Sequence, residues 1–438
     1  MGTNESISLG RSFISFDYSQ ALVEAERCLG CYDAPCVRAC PAHVNVPNFI
    51  RRFREENLEG ASELIYEACP LGSICGTACP TQSLCEGACV LKTLGQYPIR
   101  IGALQAYITM NSSNVERAVT LQRRQKIAII GGGPAGLGCA VQLLRLGYRP
   151  HVFEKRNTIG GLVDQVIPVH RLPNEVITHD IQRLSGSGIQ FHLGNEITSE
   201  NVQELVNTYD AVFVGIGLSN SNFIKDLASN VSGVINATDF LEISKHSEKM
   251  QVIEKKVIVV GAGNVALDAA VVAKKLGAKS VTLLYRRSKD EMPGWESEYI
   301  EAATLGIEFR WMSAIKESKT KNNEIKCIIV QGMMFEYKNS EGRRKVTIDP
   351  NCKPYEIDCD LLVIAYGQSL DRNLPDALNL PISENGTIQL EDSIRLGKVF
   401  AAGEAVSGGG TIIKSLTQGL VAGRCIHAWL ESEKNDAR

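Results

Sequence analysis

No stretch of this 438-residue chain approaches the roughly 20 consecutive apolar residues that a membrane-spanning helix needs. Its start, MGTNESISLGRSF, has neither the basic opening nor the apolar core of a secretory signal. Charge is nearly balanced at a net −3, and no block of one sign builds a tail or a basic face. Membrane and nucleic acid are set aside as partners on these grounds, and a cytoplasmic location is the expectation. A reducing compartment in turn argues against a disulfide framework and for metal or catalytic roles for cysteine. Cysteine is itself sparse over most of the chain, with five of fourteen scattered beyond position 89.

The other nine are crowded between Cys28 and Cys89, in CLGCYDAPCVRACP and CPLGSICGTACPTQSLCEGAC. Cys28, Cys31, Cys36 and Cys40, followed by Pro41, resemble the C-x2-C-x2-C-x3-C-P run of two-cluster ferredoxins with one gap widened. In that arrangement the fourth cysteine serves the other cluster, so a second group, Cys75, Cys79, Cys85 and Cys89, is needed to complete both. Zinc is the alternative, but its sites favour two C-x2-C knuckles and only one such pair is present. Ser19 is the expected cap of a first short helix. A helical pair with a break at Gly60 is expected over 46–68, and an amphipathic helix over 106–119.

Two strand–glycine–helix units follow. In the first, IAII leads into Gly131, Gly132, Gly133, Pro134, Ala135 and Gly136, and the next strand ends on Glu154, eighteen residues past Gly136. Gly131 suits the tight turn, Gly133 the close approach of a pyrophosphate, Gly136 helix–strand packing, and Glu154 a ribose hydroxyl. The second unit has Gly261, Ala262, Gly263, Asn264 and Val265, with Ala266 in the packing position. Its second strand ends Tyr285-Arg286-Arg287 where an acid would face the ribose, so two guanidiniums favour a 2′-phosphate and NADPH over NADH. Buried strands ending in Gly217 and Gly367, a β-meander over 325–358, and VFAAGE before a last helix complete the pattern. The region Gly160-Gly161-Leu162-Val163-Asp164 holds no cysteine, which lowers the weight of thiol–disulfide reduction, and Cys139 reads as core packing.

The fold class expected is α/β: an N-terminal α-helical domain with two 4Fe-4S clusters, then two Rossmann-like domains, the NAD(P)H domain inserted in the FAD domain. The expected boundaries are 1–122 for the helical domain, 123–240 and 371–438 for the FAD domain, and 241–370 for the NAD(P)H domain.

From Cys28 onward the chain resembles the N-terminal, electron-input half of dihydropyrimidine dehydrogenase, most closely the bacterial form in which that half is a separate subunit. The residues that carry the likeness are CGTACPTQSLCEGAC, IGALQ, GGLVDQVIPVHRLP and FVGIGL. The glutamate synthase small subunit and NADPH:ferredoxin oxidoreductase subunits are similar at greater distance. The resemblance implies one 4Fe-4S cluster on Cys28, Cys31, Cys36 and Cys89, and another on Cys40, Cys79, Cys85 and Gln105. Thiolate chemistry alone would have chosen Cys75 over Gln105. It further implies FAD contacts from Lys155, Gly161, Leu162, Arg171, Gly217, Gly403, Glu404 and Thr411, and NAD(P)H contacts reaching to Gly367. Glu404 stands where the family usually has aspartate, and Lys414 is a second departure. The activity implied is hydride transfer from NAD(P)H to FAD and single-electron exit through the clusters to an FMN-containing partner subunit that reduces pyrimidines. The chain ends before any FMN barrel. The rivals are an input subunit for glutamate synthase or a ferredoxin-linked transhydrogenase, and a non-catalytic redox sensor.

Overall fold

A computed structural model of the chain describes residues 16–113, 116, 123–221, 231–246, 252–336, 344–390 and 395–436. The described residues form two compact units. One comprises Gln165–Pro168 and Ser221–Gln368; the other comprises Phe13–Asp164, Val169–Asn220 and Ser369–Arg438.

The second, larger unit opens with helices. Tyr18–Glu26 is capped by Asp17, whose carboxylate accepts from the Gln20 backbone N–H at 2.8 Å while the Gln20 side chain accepts from Asp17 N–H at 3.1 Å. Ser19 is therefore not the cap; it sits inside the first turn and donates to Asp17, whose ionised side chain accepts two bonds at once. The expected break at Gly60 is also displaced. Val46–Arg54 ends at Glu55, Glu56 turns at φ 60°, and Asn57 starts Leu58–Ala68 by accepting from the Gly60 N–H. Gly60 lies within that second helix, where a Cβ would stand 2.6 Å from the capping Asn57 amide, so glycine fits there without breaking the helix. Two further helices, Gly72–Ala78 and Ile101–Met110, pack against each other. The latter begins before the expected 106, so Gln105 projects from a helix and not from the approach to one. The helix also stops at Met110, short of the expected 119: positions 111–113 are not helical, and 114, 115 and 117–119 lie outside the described residues.

The same unit holds a six-stranded sheet in the order Arg395–Leu396, Val399–Ala401, Ala211–Val214, Ile127–Ile130, His151–Glu154, Gln190–Leu193. All neighbours are parallel except the first pair. Every residue of Ile127–Ile130 and Ala211–Val214 is buried, as expected of parallel strands covered on both faces. Pairing of Val399–Ala401 with Ala211–Val214 returns the C-terminal segment to the first nucleotide unit.

The smaller unit carries a five-stranded parallel sheet in the order Val234–Asn236, Leu361–Ile364, Lys256–Val260, Ser280–Leu284, Glu308–Arg310. A four-stranded antiparallel sheet begins at Ser313, earlier than the expected meander, and is built on the long strand Glu324–Phe335.

Candidate functional site: two thiol cavities and two nucleotide turns

The clustered cysteines separate into two cavities, and the separation crosses the two loops. The first, about 380 Å³, is lined by Cys28, Cys31, Cys36 and Cys89. The second, about 350 Å³, is lined by Cys40, Cys79, Cys85 and Gln105, joined by Cys69 and Cys75. Cys89 thus stands with the first loop and Cys40 with the second. Burial pushes the Cys36 thiol up to about 11 and raises Cys28, Cys40 and Cys85 in the same direction. Cationic iron reverses that preference, since a coordinating thiol gives up its proton.

The donor sets fit cubane clusters. A 4Fe-4S cluster spreads its ligands over separate irons, which suits four side chains around an open cavity. Gln105 is buried, and its Nε2 donates to the Gly72 carbonyl at 2.8 Å. That bond identifies the nitrogen end of the amide and leaves its oxygen as the end suited to iron. Cys69, fully buried at the end of Leu58–Ala68, is a cavity residue that spacing did not reveal. Its signal was present in CPLG, but cysteine motifs count short intervals, and Cys69 is six residues from Cys75.

The loop after Leu58–Ala68 and the start of Gly72–Ala78 are gripped from the helix Asn174–Ser185. Fully buried Asp180 accepts from Ile74 N–H at 2.9 Å, from Ser73 N–H at 3.4 Å and from Tyr66 hydroxyl at 3.1 Å. Arg183 donates to the Pro70 carbonyl and lies over the Tyr66 ring at 3.9 Å. Arg145, at the end of the fingerprint helix Pro134–Arg145, donates to the carbonyls of Tyr66 and Glu67. Glu116 joins Arg145 and Arg183 at 2.8 and 2.9 Å. None of these four side chains belongs to a recognisable motif; all act across long sequence separations.

At the first nucleotide turn, Gly131 has φ 102° and a Cβ there would stand 2.6 Å from the Gly215 carbonyl. At Gly136 a Cβ would overlap the Gly131 carbonyl. Gly133 caps the helix with no side-chain bond to its first turn, so the N–H groups there are free of intrachain side-chain caps and aligned for phosphate. Glu154 is buried against this turn, accepting from Gly132 N–H at 2.8 Å and Arg156 N–H at 3.0 Å. Each of its oxygens has a second lone pair for a ribose hydroxyl. Gly160 N–H bonds the Gly132 carbonyl, which sets Gly161 beside Gly133 with Leu162 following. Lys155 is exposed, Arg171 half-buried, and Gly217 turns at φ 65°. From the C-terminal segment Gly403 packs on Ala135, Glu404 accepts from Gly410 N–H at 3.0 Å, and Thr411 accepts from Lys414 N–H. Burial raises the Glu404 carboxyl against the opposing pull of the Gly410 bond and Lys414. Ile413, in the helix Ile412–Asp436, lines the second thiol cavity two residues from Thr411. Cys139 is fully buried in the core.

In the smaller unit Gly261, Ala262 and Gly263 lead into Asn264–Lys275 with fully buried Ala266 in the packing position. Asn264 accepts from Trp295 N–H at 2.9 Å, and Val265 follows in the first turn. Gly367 turns at φ 85°. The expected arginine pair divides. Arg286 is exposed, whereas Arg287 is buried and bonds Glu291 at 3.1 Å and the Arg344 carbonyl. The strand stops at Leu284, and in the bend beyond it Arg286 is exposed while Arg287 is buried, so the two guanidiniums do not present together.

Comparison with known proteins agrees with this layout. Residues 125–419 match the family described as pyridine nucleotide-disulphide oxidoreductase, and residues 10–117 match dihydropyrimidine dehydrogenase domain II, 4Fe-4S cluster. The NAD-dependent dihydropyrimidine dehydrogenase subunit PreT of Escherichia coli is 32% identical, over 94% of both chains. The glutamate synthase [NADPH] small chain of the same organism is 29% identical, over 95% of this chain and 93% of that one. Among solved structures, Mycobacterium tuberculosis FprA in complex with NADPH shares the fold at TM-score 0.61 and 18% identity, over 72% of this chain and 86% of that one. Among the described residues no helix is long and apolar enough to cross a membrane. The chain belongs to the pyridine nucleotide-disulphide oxidoreductase family, as an NAD(P)H-dependent electron-transfer oxidoreductase of FAD and 4Fe-4S clusters.

Proposed function

We propose that this chain is the electron-input subunit of a dihydropyrimidine dehydrogenase, delivering electrons to a partner subunit that carries FMN and reduces the 5,6 double bond of uracil or thymine. When bound, FAD accepts a hydride from NAD(P)H and releases electrons singly to the clusters. Gly131, Gly133, Pro134, Ala135, Gly136 and Glu154 hold the FAD phosphates and ribose, with Gly161, Gly403, Glu404 and Thr411 around them. Cys28, Cys31, Cys36 and Cys89 hold one cluster, and Cys40, Cys79, Cys85 and Gln105 the other. No acid or base for pyrimidine chemistry is assigned to this chain.

The observation that carries the reading is the crossed sorting of the cysteines into two cavities, one of them walled by Ile413 beside the flavin segment. That adjacency supports the second cavity, with Cys40, Cys79, Cys85 and Gln105, as the cluster site that would lie nearer the flavin when both groups are bound. The PreT relatives support the pyrimidine partner by name. The second reading, an input subunit for glutamate synthase, rests on the near-equal identity and coverage of the small chain. The burial of Arg287 in its pair with Glu291 shifts the balance from NADPH toward NADH.

Purified chain is incubated with NAD(P)H, an artificial electron acceptor and uracil. The dye is expected to be reduced and uracil left intact until an FMN-barrel subunit is added. Uracil reduction by the chain alone refutes the division of labour, and glutamate formation with a glutaminase-bearing subunit selects the second reading.

A further inference from the structure

We propose that Cys69 is a reserve ligand of the second cluster site, able to take the coordination position assigned to Gln105. The proposal rests on the reading of that cavity as a cluster site. The cavity wall carries Cys40, Cys79, Cys85 and Gln105, which complete a four-ligand set, and also Cys69 and Cys75, which exceed it. Of these two, Cys69 ends the helix Leu58–Ala68 and lies in the loop just before Gly72, whose carbonyl Gln105 holds. Cys75 instead stands inside the helix Gly72–Ala78, whose first turn is pinned by Asp180.

Gln105 links the two alternatives. Its Nε2 bond to the Gly72 carbonyl tethers the loop three residues beyond Cys69. One amide therefore both fills a coordination position and fixes the segment that presents the competing thiol. A thiolate is also the better donor for iron than an amide oxygen. In the exchange the bond from iron to the amide oxygen breaks, a bond from iron to the Cys69 sulfur forms, and the thiol proton leaves to solvent. No electron is transferred. The site gains one negative charge, which lowers its reduction potential.

The test is iron content and electron paramagnetic resonance of the reconstituted full chain, with redox titration. Wild type is expected to hold about eight irons. Gln105→Ala is expected to keep about eight, with the potential of the second cluster lowered. Adding Cys69→Ala to that variant leaves about four, the first cluster serving as the internal check on folding, whereas adding Cys75→Ala leaves about eight. Loss of the second cluster in Gln105→Ala alone, an unshifted potential, retention in the Cys69 double variant, or loss in the Cys75 double variant each overturns the proposal. If the Cys69 double variant loses all iron, Cys69→Ser repeats the comparison with volume preserved, and total loss there also counts against it. A wild-type content of about four irons refutes the second cluster itself, which separates that failure from failure of the reserve ligand.

Discussion

The carboxylate of Asp180 accepts the backbone N–H of Ile74 at 2.9 Å, across 106 residues of sequence. The bond places a buried negative charge at the N-terminus of Gly72–Ala78, where the helix dipole and unpaired N–H groups favour it. That helix carries Cys75 and delivers Cys79 at its end. The geometry of the second cavity therefore depends on a residue of the helix Asn174–Ser185.

Asp180→Asn is expected to leave one of three donors facing an amide NH2 group. Stranding a buried donor costs about 1–3 kcal/mol. The variant should show a lower denaturation midpoint and faster chelator release of the iron in the second cavity, while the first cavity keeps its iron. Equal release from both cavities would mean that Asp180 stabilises the fold generally and does not position the cavity.

The acid limb of stability should report on Glu116. Burial alone would raise its carboxyl, but hydrogen bonds and charge from Arg145 and then Arg183 outweigh burial and hold it below the ordinary value of 4.5. A carboxyl depressed in the folded state contributes stability that is fully present above 4.5 and drains as pH falls through the folded value. Glu116→Gln should lower stability at neutral pH and flatten the loss below 4.5. Parallel pH profiles for variant and wild type would show that the triad contributes nothing through charge.

The coenzyme preference should turn on Glu291, which engages both Arg287 and Arg344. Glu291→Gln removes the charge that occupies these guanidiniums and frees them for a 2′-phosphate. The ratio of kcat/KM for NADPH over NADH is expected to rise by about tenfold, roughly the effect of one charge-assisted contact. The dye-reduction assay with each coenzyme measures it. An unchanged ratio would place the 2′-hydroxyl elsewhere.

Much of the layout was legible because it is local. Gly131, Gly133, Gly136 and Glu154 lie within one βαβ unit, where each role follows from backbone geometry over a few residues. The crossing of Cys40 was legible in the ferredoxin-like spacing, but that of Cys89 only through a family likeness, since spacing alone does not say which cysteine of the second group returns to the first loop. Asp180 was not legible at all, and Cys69 was visible only as one of the crowded cysteines, without a role. Their partners are set by how helices distant in sequence pack, and neither sits in a spaced motif. The division of Arg286 from Arg287 was not legible either: both lie in the bend past the strand end at Leu284, and Arg287 is bound there by Glu291 and the Arg344 carbonyl.

The two fingerprints also make a paired prediction. At Gly136 an added Cβ overlaps the Gly131 carbonyl, whereas Ala266 occupies the matching place in the smaller unit and is fully buried there. The second turn has already adjusted to a methyl group and the first has not. Gly136→Ala should therefore force the turn apart, at about 1–3 kcal/mol of overpacking, and yield protein with little bound flavin by absorbance. Ala266→Gly should keep full flavin content and lose only modest stability, because it removes one buried methyl from a helix and adds backbone freedom, at about 0.5–1 kcal/mol for the latter. Normal flavin content in Gly136→Ala would show that the first turn does not hold the dinucleotide at the distance assigned to it.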